Sequence, residues 1–189
     1  MGRSNKRRID KIHFRNVQEL CFVCKYVSDK ITAQEQVFAD ELNSRKGLLE
    51  QSRYYRNNGD SEKAQECIEK VKEITNRYKG TWFTNSVDHN GSPDPGGKYK
   101  KIKVEHFNRY MVEAEEIWAR NHKEVPLSTA NMRRDLERCG IICGSRAKTH
   151  RPFDFFGERL RNEKGESVVA NQVMEFSVIQ IEFFAASAT

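Results

Sequence analysis

The chain has few of the features that place a protein in a class at sight. No apolar run approaches the roughly 20 residues a membrane-spanning helix needs, so a bilayer-crossing segment is not expected. The charged start of the chain has no apolar stretch behind it, which argues against a secretory signal peptide. Lys6 occupies the position where a myristoylation motif carries Ser or Thr. The five cysteines are an odd count spread over 189 residues. That excludes a disulfide-dense mini-domain and fits a reducing, intracellular compartment. Leucine is scarce, so the 11 phenylalanines, with Val and Ile, must carry the core. There is no Gly-x-x-x-x-Gly-Lys-Ser/Thr phosphate loop and no other recognisable catalytic spacing. The chain is therefore expected to be neither an enzyme nor a cofactor carrier.

Neither sign of charge dominates, with 33 Lys and Arg against 27 Asp and Glu. The excess of +6 is mild, but it is not spread evenly. Residues 1–12 carry Arg3, Lys6, Arg7, Arg8 and Lys11 against Asp10. Residues 98–103 carry Lys98, Lys100, Lys101 and Lys103 with no acid. Residues 128–164 hold nine cations and five acids. Near-neutral or acidic stretches separate these three clusters. Such clusters suit an acidic partner, and equally a solvated surface. Residues 4–11 read as a nuclear-localisation signal, as an arm tracking phosphates, or as a solubilising tail.

Apolar residues at Phe14, Val17, Leu20, Cys21, Cys24 and Val27 recur at three and four, one face of a helix over 14–30. Val37, Phe38, Leu42, Leu48, Leu49 and Tyr55 continue that spacing over 34–56. Asn57-Asn58-Gly59 is a stop signal, because these residues tolerate positive φ. Asp60 or Ser61 can cap the next helix, striped by Ala64, Cys67, Ile68, Val71, Ile74 and Tyr78. Residues 13–84 thus predict a long antiparallel helical hairpin preceded by a shorter helix. Its narrow seam suits a protein partner or a second copy of the chain. Two prolines and several glycines over 85–102 predict a loop or linker without regular structure.

A third stripe, Val104, Phe107, Met111, Ala114 and Trp118, predicts a helix over 103–122, broken by Pro126. Ser128 then caps a short helix that Gly140 ends. Residues 166–184 are rich in Val, Ile and Phe and predict a β-hairpin, with a parity slip near 178 that suggests a bulge. The fold class is α+β and mostly α: a helical hairpin followed, over 103–184, by a winged helix-turn-helix-like module.

In that module the short helix is the one that enters a DNA groove. Met132, Leu136 and Cys139 face inward. Asn131, Arg134 and Arg138 recur on another face, and Asn and Arg are the side chains that read adenine and guanine edges. Arg133, Arg146, Lys148, Arg151, Arg159 and Arg161 are candidate phosphate contacts. Asp135 and Glu137 argue for an ordinary mixed-charge surface helix instead. The stretch Phe107-Asn108-Arg109-Tyr110, Trp118, Glu124-Val125-Pro126-Leu127-Ser128, Met132-Arg133-Arg134-Asp135-Leu136 and Cys139-Gly140-Ile141-Ile142 resembles the C-terminal winged-helix segment of poxvirus-type viral and phage primase-helicases. The likeness covers roughly 105–160. It implies a DNA-binding helix at 128–139 and a wing at about 144–183. No enzymatic part of that family is present to carry over.

Cys21, Cys24, Cys139 and Cys143 have spacings that a four-thiolate zinc site would use, but Cys21 and Cys24 fall in an apolar helical pattern and read as core residues. Val87-Asp88-His89-Asn90 resembles the opening of a His-Asn-His nuclease motif, without its later partners. Trp82, Phe83 and Trp118 read as core anchors. The expected function is DNA binding in replication or transcription control, with RNA as a further candidate ligand. The alternative is a non-catalytic protein-interaction subunit of a nucleic-acid-associated complex.

Overall fold

The computed structural model describes residues 12–88, 90, 92–143 and 148–188. The N-terminal cations of residues 1–11, His89 and Arg146 lie outside the described residues, as does the side chain of Lys148. The architecture is α+β. In chain order the elements are α1 (Val17–Asn57), α2 (Ser61–Tyr78), β1 (Thr84–Ser86), β2 (Tyr99–Lys103), α3 (Val104–His122), α4 (Thr129–Arg138), β3 (Lys148–His150), β4 (Ala170–Ser177) and α5 (Val178–Ala186).

The two helices expected over 14–30 and 34–56 are one helix of 41 residues. At 1.5 Å per residue it is roughly 60 Å long. Nothing breaks it near residue 32, where Ile31, Thr32 and Ala33 include neither proline nor glycine. The stop at 57–59 is as expected: Asn58 caps the C-terminus and Gly59 takes φ +79°. Asp60 then accepts the Lys63 N–H to start α2. The two helices pack antiparallel, tied by Ser52 Oγ on the Ala64 carbonyl and Arg45 Nε on Thr75 Oγ1.

The region expected as an irregular linker supplies two strands instead. Its prolines and glycines are confined to the turn between β1 and β2, so the flanks are free to pair. Ile102 of β2 is fully buried, and β2 pairs antiparallel with both β1 and β4. The sheet order is β1-β2-β4-β3. It curls: the Asn85 side chain of edge strand β1 donates to the Phe153 carbonyl and accepts from the Phe153 N–H, just beyond the opposite edge strand.

The expected β-hairpin over 166–184 is corrected as well. Only 170–177 is a strand, and Ser177 caps a helix by accepting the Gln180 N–H. The parity slip near 178 is this strand-to-helix junction. A true bulge lies earlier, where the β3–β4 register shifts between Lys148 and His150 and Gln172 takes φ 57°. Its left-handed backbone absorbs the extra residue.

One apolar cluster joins the start of α1 (Leu20, Val23, Val27), α3 (Phe107, Met111), α4 (Met132, Leu136) and β4 (Met174, Phe176). Cys21 and Cys24 are buried, while Cys139 and Cys143 are half-buried, and all are free thiols. Burial raises the thiols of Cys21, Cys24 and Cys139 above the ordinary cysteine range. No group of three or more metal-ligating side chains is placed to hold a metal among the described residues. Phe83 is buried, but Trp118 departs from the core role expected of it: it is half-buried and stacks on His122 at 3.9 Å. No helix among the described residues is long and apolar enough to cross a membrane.

Candidate nucleic-acid interface

Ser128 starts α4 by accepting the Asn131 N–H at 3.3 Å. Met132 and Leu136 turn inward, and both are essentially inaccessible. Asp135 does not sit on a mixed-charge surface: it is 0% exposed. Its carboxylate accepts the His13 N–H at 2.6 Å, the Phe14 N–H at 2.8 Å and His13 Nδ1 at 3.0 Å. The residues leading into α1 are thereby fastened to α4.

The loop entering α4 is fastened too. The Arg15 guanidinium donates to Glu19, to Glu115 Oε1 at 3.3 Å and to the Val125 carbonyl, and pairs with Glu124 at 3.2 Å. Glu115 Oε1 also accepts the Leu127 N–H at 2.9 Å. Glu19 and Glu115 are both buried beside one cation. Burial pushes the Glu115 carboxyl above its ordinary range; the Leu127 N–H partly offsets this, and the Glu19 charge adds to it.

With its inner face anchored, α4 presents Arg134 and Arg138 outward, both exposed. Arg138 also lies 3.6 Å from Asp135. Asn131 and Arg133 are half-buried. Three further expected contacts lie elsewhere. Arg151 and Arg161 are exposed and Arg159 half-buried, all beyond the Ala170 end of β4, whereas α4 adjoins the Ser177 end through the Ser177 N–H to the Ile141 carbonyl. Eight residues of strand separate the two ends by about 23 Å. Arg159 is engaged internally: its guanidinium lies 4.1 Å over Phe153 and donates to the Arg151 carbonyl. Arg161 donates to the Gly165 carbonyl across its own turn.

The lysine cluster at 98–103 is partly neutralised. Lys100 pairs with Glu35 at 2.6 Å, and Lys101 faces Glu175 across the β2–β4 ladder at 3.7 Å. Lys103 lies 5.9 Å over the Trp82 ring. The exposed cations near α4 are thus a smaller set than the linear count of charge.

At the far end of the sheet, His150 is buried and its Nε2 bonds Asn85 Oδ1 at 2.8 Å. Burial, with Lys101 and Arg159 nearby, holds its pKa down from 6.5 to about 4. The folded state therefore resists a proton that the unfolded chain takes up. Stability is complete above 6.5 and is lost as pH falls towards 4. His150→Gln should flatten this slope in urea titrations run across that window. An unchanged slope would show that the imidazole is not its source.

Sequence reasoning missed Asp135, His13, Arg15, Glu19 and Glu115 as the frame around α4. The Asp135–His13 bond spans 122 positions, beyond any local pattern. No protein-family model, curated protein or solved structure matches the chain.

Proposed function

We propose that the protein binds duplex DNA through α4 and serves replication or transcription control. The supporting observation is the polarity of α4: Met132, Asp135 and Leu136 are buried, while Arg134 and Arg138 face solvent. Two further features agree. β2, α3, α4, β3 and β4 follow one another with β4 paired between β2 and β3, an order a winged helix-turn-helix uses. His13 is held against α4, and the cations Arg3, Lys6, Arg7, Arg8 and Lys11 precede it in sequence. The likeness to the primase-helicase segment assigns the same helix to the groove. In this reading Arg134, Arg138 and Asn131 approach the groove and Arg133 the adjacent phosphates.

The test is fluorescence anisotropy with a mixed-sequence DNA duplex, titrated between ~50 and ~200 mM salt. Arg134→Ala with Arg138→Ala is expected to weaken binding about 10- to 100-fold, and Arg133→Ala to lower the salt slope by about 0.9, the value of one phosphate contact. Unaltered circular dichroism shows that the fold survives. Wild-type affinity in the double variant would overturn the reading, and tighter binding to an RNA duplex would reassign the ligand.

A second reading, a protein-interaction subunit, draws on α5. Ile179 and Phe183 are 59% and 63% exposed and lie four residues apart on one helix face. An apolar contact there would be insensitive to salt, which separates the two readings.

A further inference from the structure

Resting on the nucleic-acid reading above, we infer that the groove between the α1–α2 hairpin and residues 155–158 is a separate site for single-stranded DNA. Phe155 anchors this segment on the hairpin, 4.1 Å from Phe38 and 5.5 Å from Tyr78 by ring centroids. The Gly80 N–H donates to Asp154, closing one end. Between the segment and the hairpin lies a groove of about 530 Å³ with Leu42 and Leu49 in its lining. Three cations, Arg45, Lys46 and Lys79, also line it, against a single acid, Glu158.

The three cations differ in kind. Arg45 is fixed: its Nε donates to Thr75 Oγ1 at 2.9 Å, and its guanidinium lies 5.1 Å over the Phe156 ring. Lys46 and Lys79 are exposed, and neither makes an ion pair among the described residues. An aromatic ring stacked with arginine beside two exposed ammonium groups is the chemistry that takes a nucleobase and its flanking phosphates. The apolar lining adds sequence-tolerant contact with the base and sugar. A groove of this volume admits a nucleotide or two and is too small to seat a duplex. The groove is also distant from α4. Phe38 lies 21 residues beyond Val17 on α1, about 30 Å along the helix. The two sites can therefore be disabled independently.

The experiment uses the full chain with a labelled oligothymidine strand and, in parallel, the mixed-sequence duplex. Lys46→Glu with Lys79→Glu is expected to weaken strand binding about tenfold or more and to lower its salt slope by about 1.4, at about 0.7 per phosphate contact. Duplex binding stays within a factor of about two. Phe156→Leu keeps an apolar side chain and removes the stacking face, and is expected to weaken strand binding about fivefold or more. Arg134→Ala with Arg138→Ala leaves strand binding intact, so failure of the α4 reading shows only in the duplex arm. The inference is overturned if the lysine variant binds oligothymidine like the wild type, or loses duplex and strand equally. It is overturned as well if polyglutamate of matched charge displaces the strand as well as unlabelled oligothymidine does.

Discussion

Asp135→Ala is expected to lower the stability of the folded protein by about 3–5 kcal/mol, the cost of emptying one side of a buried charged network. The carboxylate is 0% exposed and accepts two backbone N–H groups and one imidazole nitrogen. Its removal leaves the His13 and Phe14 amides without a partner, at about 1–3 kcal/mol for each buried donor left unmade. Arg138 loses the anion 3.6 Å away at the same time. Asp135→Asn keeps the shape and one acceptor oxygen, so it should cost less than alanine. Urea denaturation at constant m-value measures both. A loss below about 1 kcal/mol for alanine would mean that water replaces the carboxylate and that the segment leading into α1 is not held by it. The pair Asp135→Ala and His13→Ala should be non-additive only by the imidazole contact they share, since His13→Ala leaves the two backbone N–H bonds to Asp135 in place.

The second large effect is expected at Phe107. It is completely buried on α3 and meets Phe176 of β4 at 5.6 Å between ring centroids. The ring therefore joins a helix to the central part of the sheet. Phe107→Ala removes the apolar area and leaves a cavity that a close-packed core closes only in part, a combined cost of about 3–5 kcal/mol. The melting temperature should fall by about 10 °C. Phe107→Leu should recover most of this, because it refills much of the volume. If alanine and leucine proved equally mild, Phe107 would lie in a region able to collapse around it. Duplex binding at permissive temperature should survive Phe107→Ala, since Phe107 is buried while Arg134 and Arg138 sit on the exposed face of α4.

Much of the helical structure was legible in the sequence, because helix signals are local. Ser128 and Asp60 cap helices where their spacing predicts, and Asn58 and Gly59 end α1. Met132 and Leu136 turn inward as the three-and-four spacing requires. The errors have a common origin in what local patterns omit. Prolines between 85 and 102 obscured β1 and β2, because a turn residue reports on its own φ and not on whether its flanks find partners. The apolar run across 170–186 hid a change from strand to helix, since a short run buried on both sides has no decisive period.

What the sequence determined by itself is α2, α3 and α4, the caps at Asp60 and Ser128, and the outward placement of Arg134 and Arg138, all set by interactions within about four residues. The tertiary structure decided which charges remain available. It buried Asp135 against residues 122 positions away, tied Lys100 to Glu35 across 65 positions, and placed Arg159 beside Phe153 at the opposite end of β4 from α4. It also formed the Arg45–Phe156 groove from segments distant in the chain. A charge acts according to its neighbours in space, and those neighbours are chosen by burial of the apolar core, which no linear count of lysines and arginines contains.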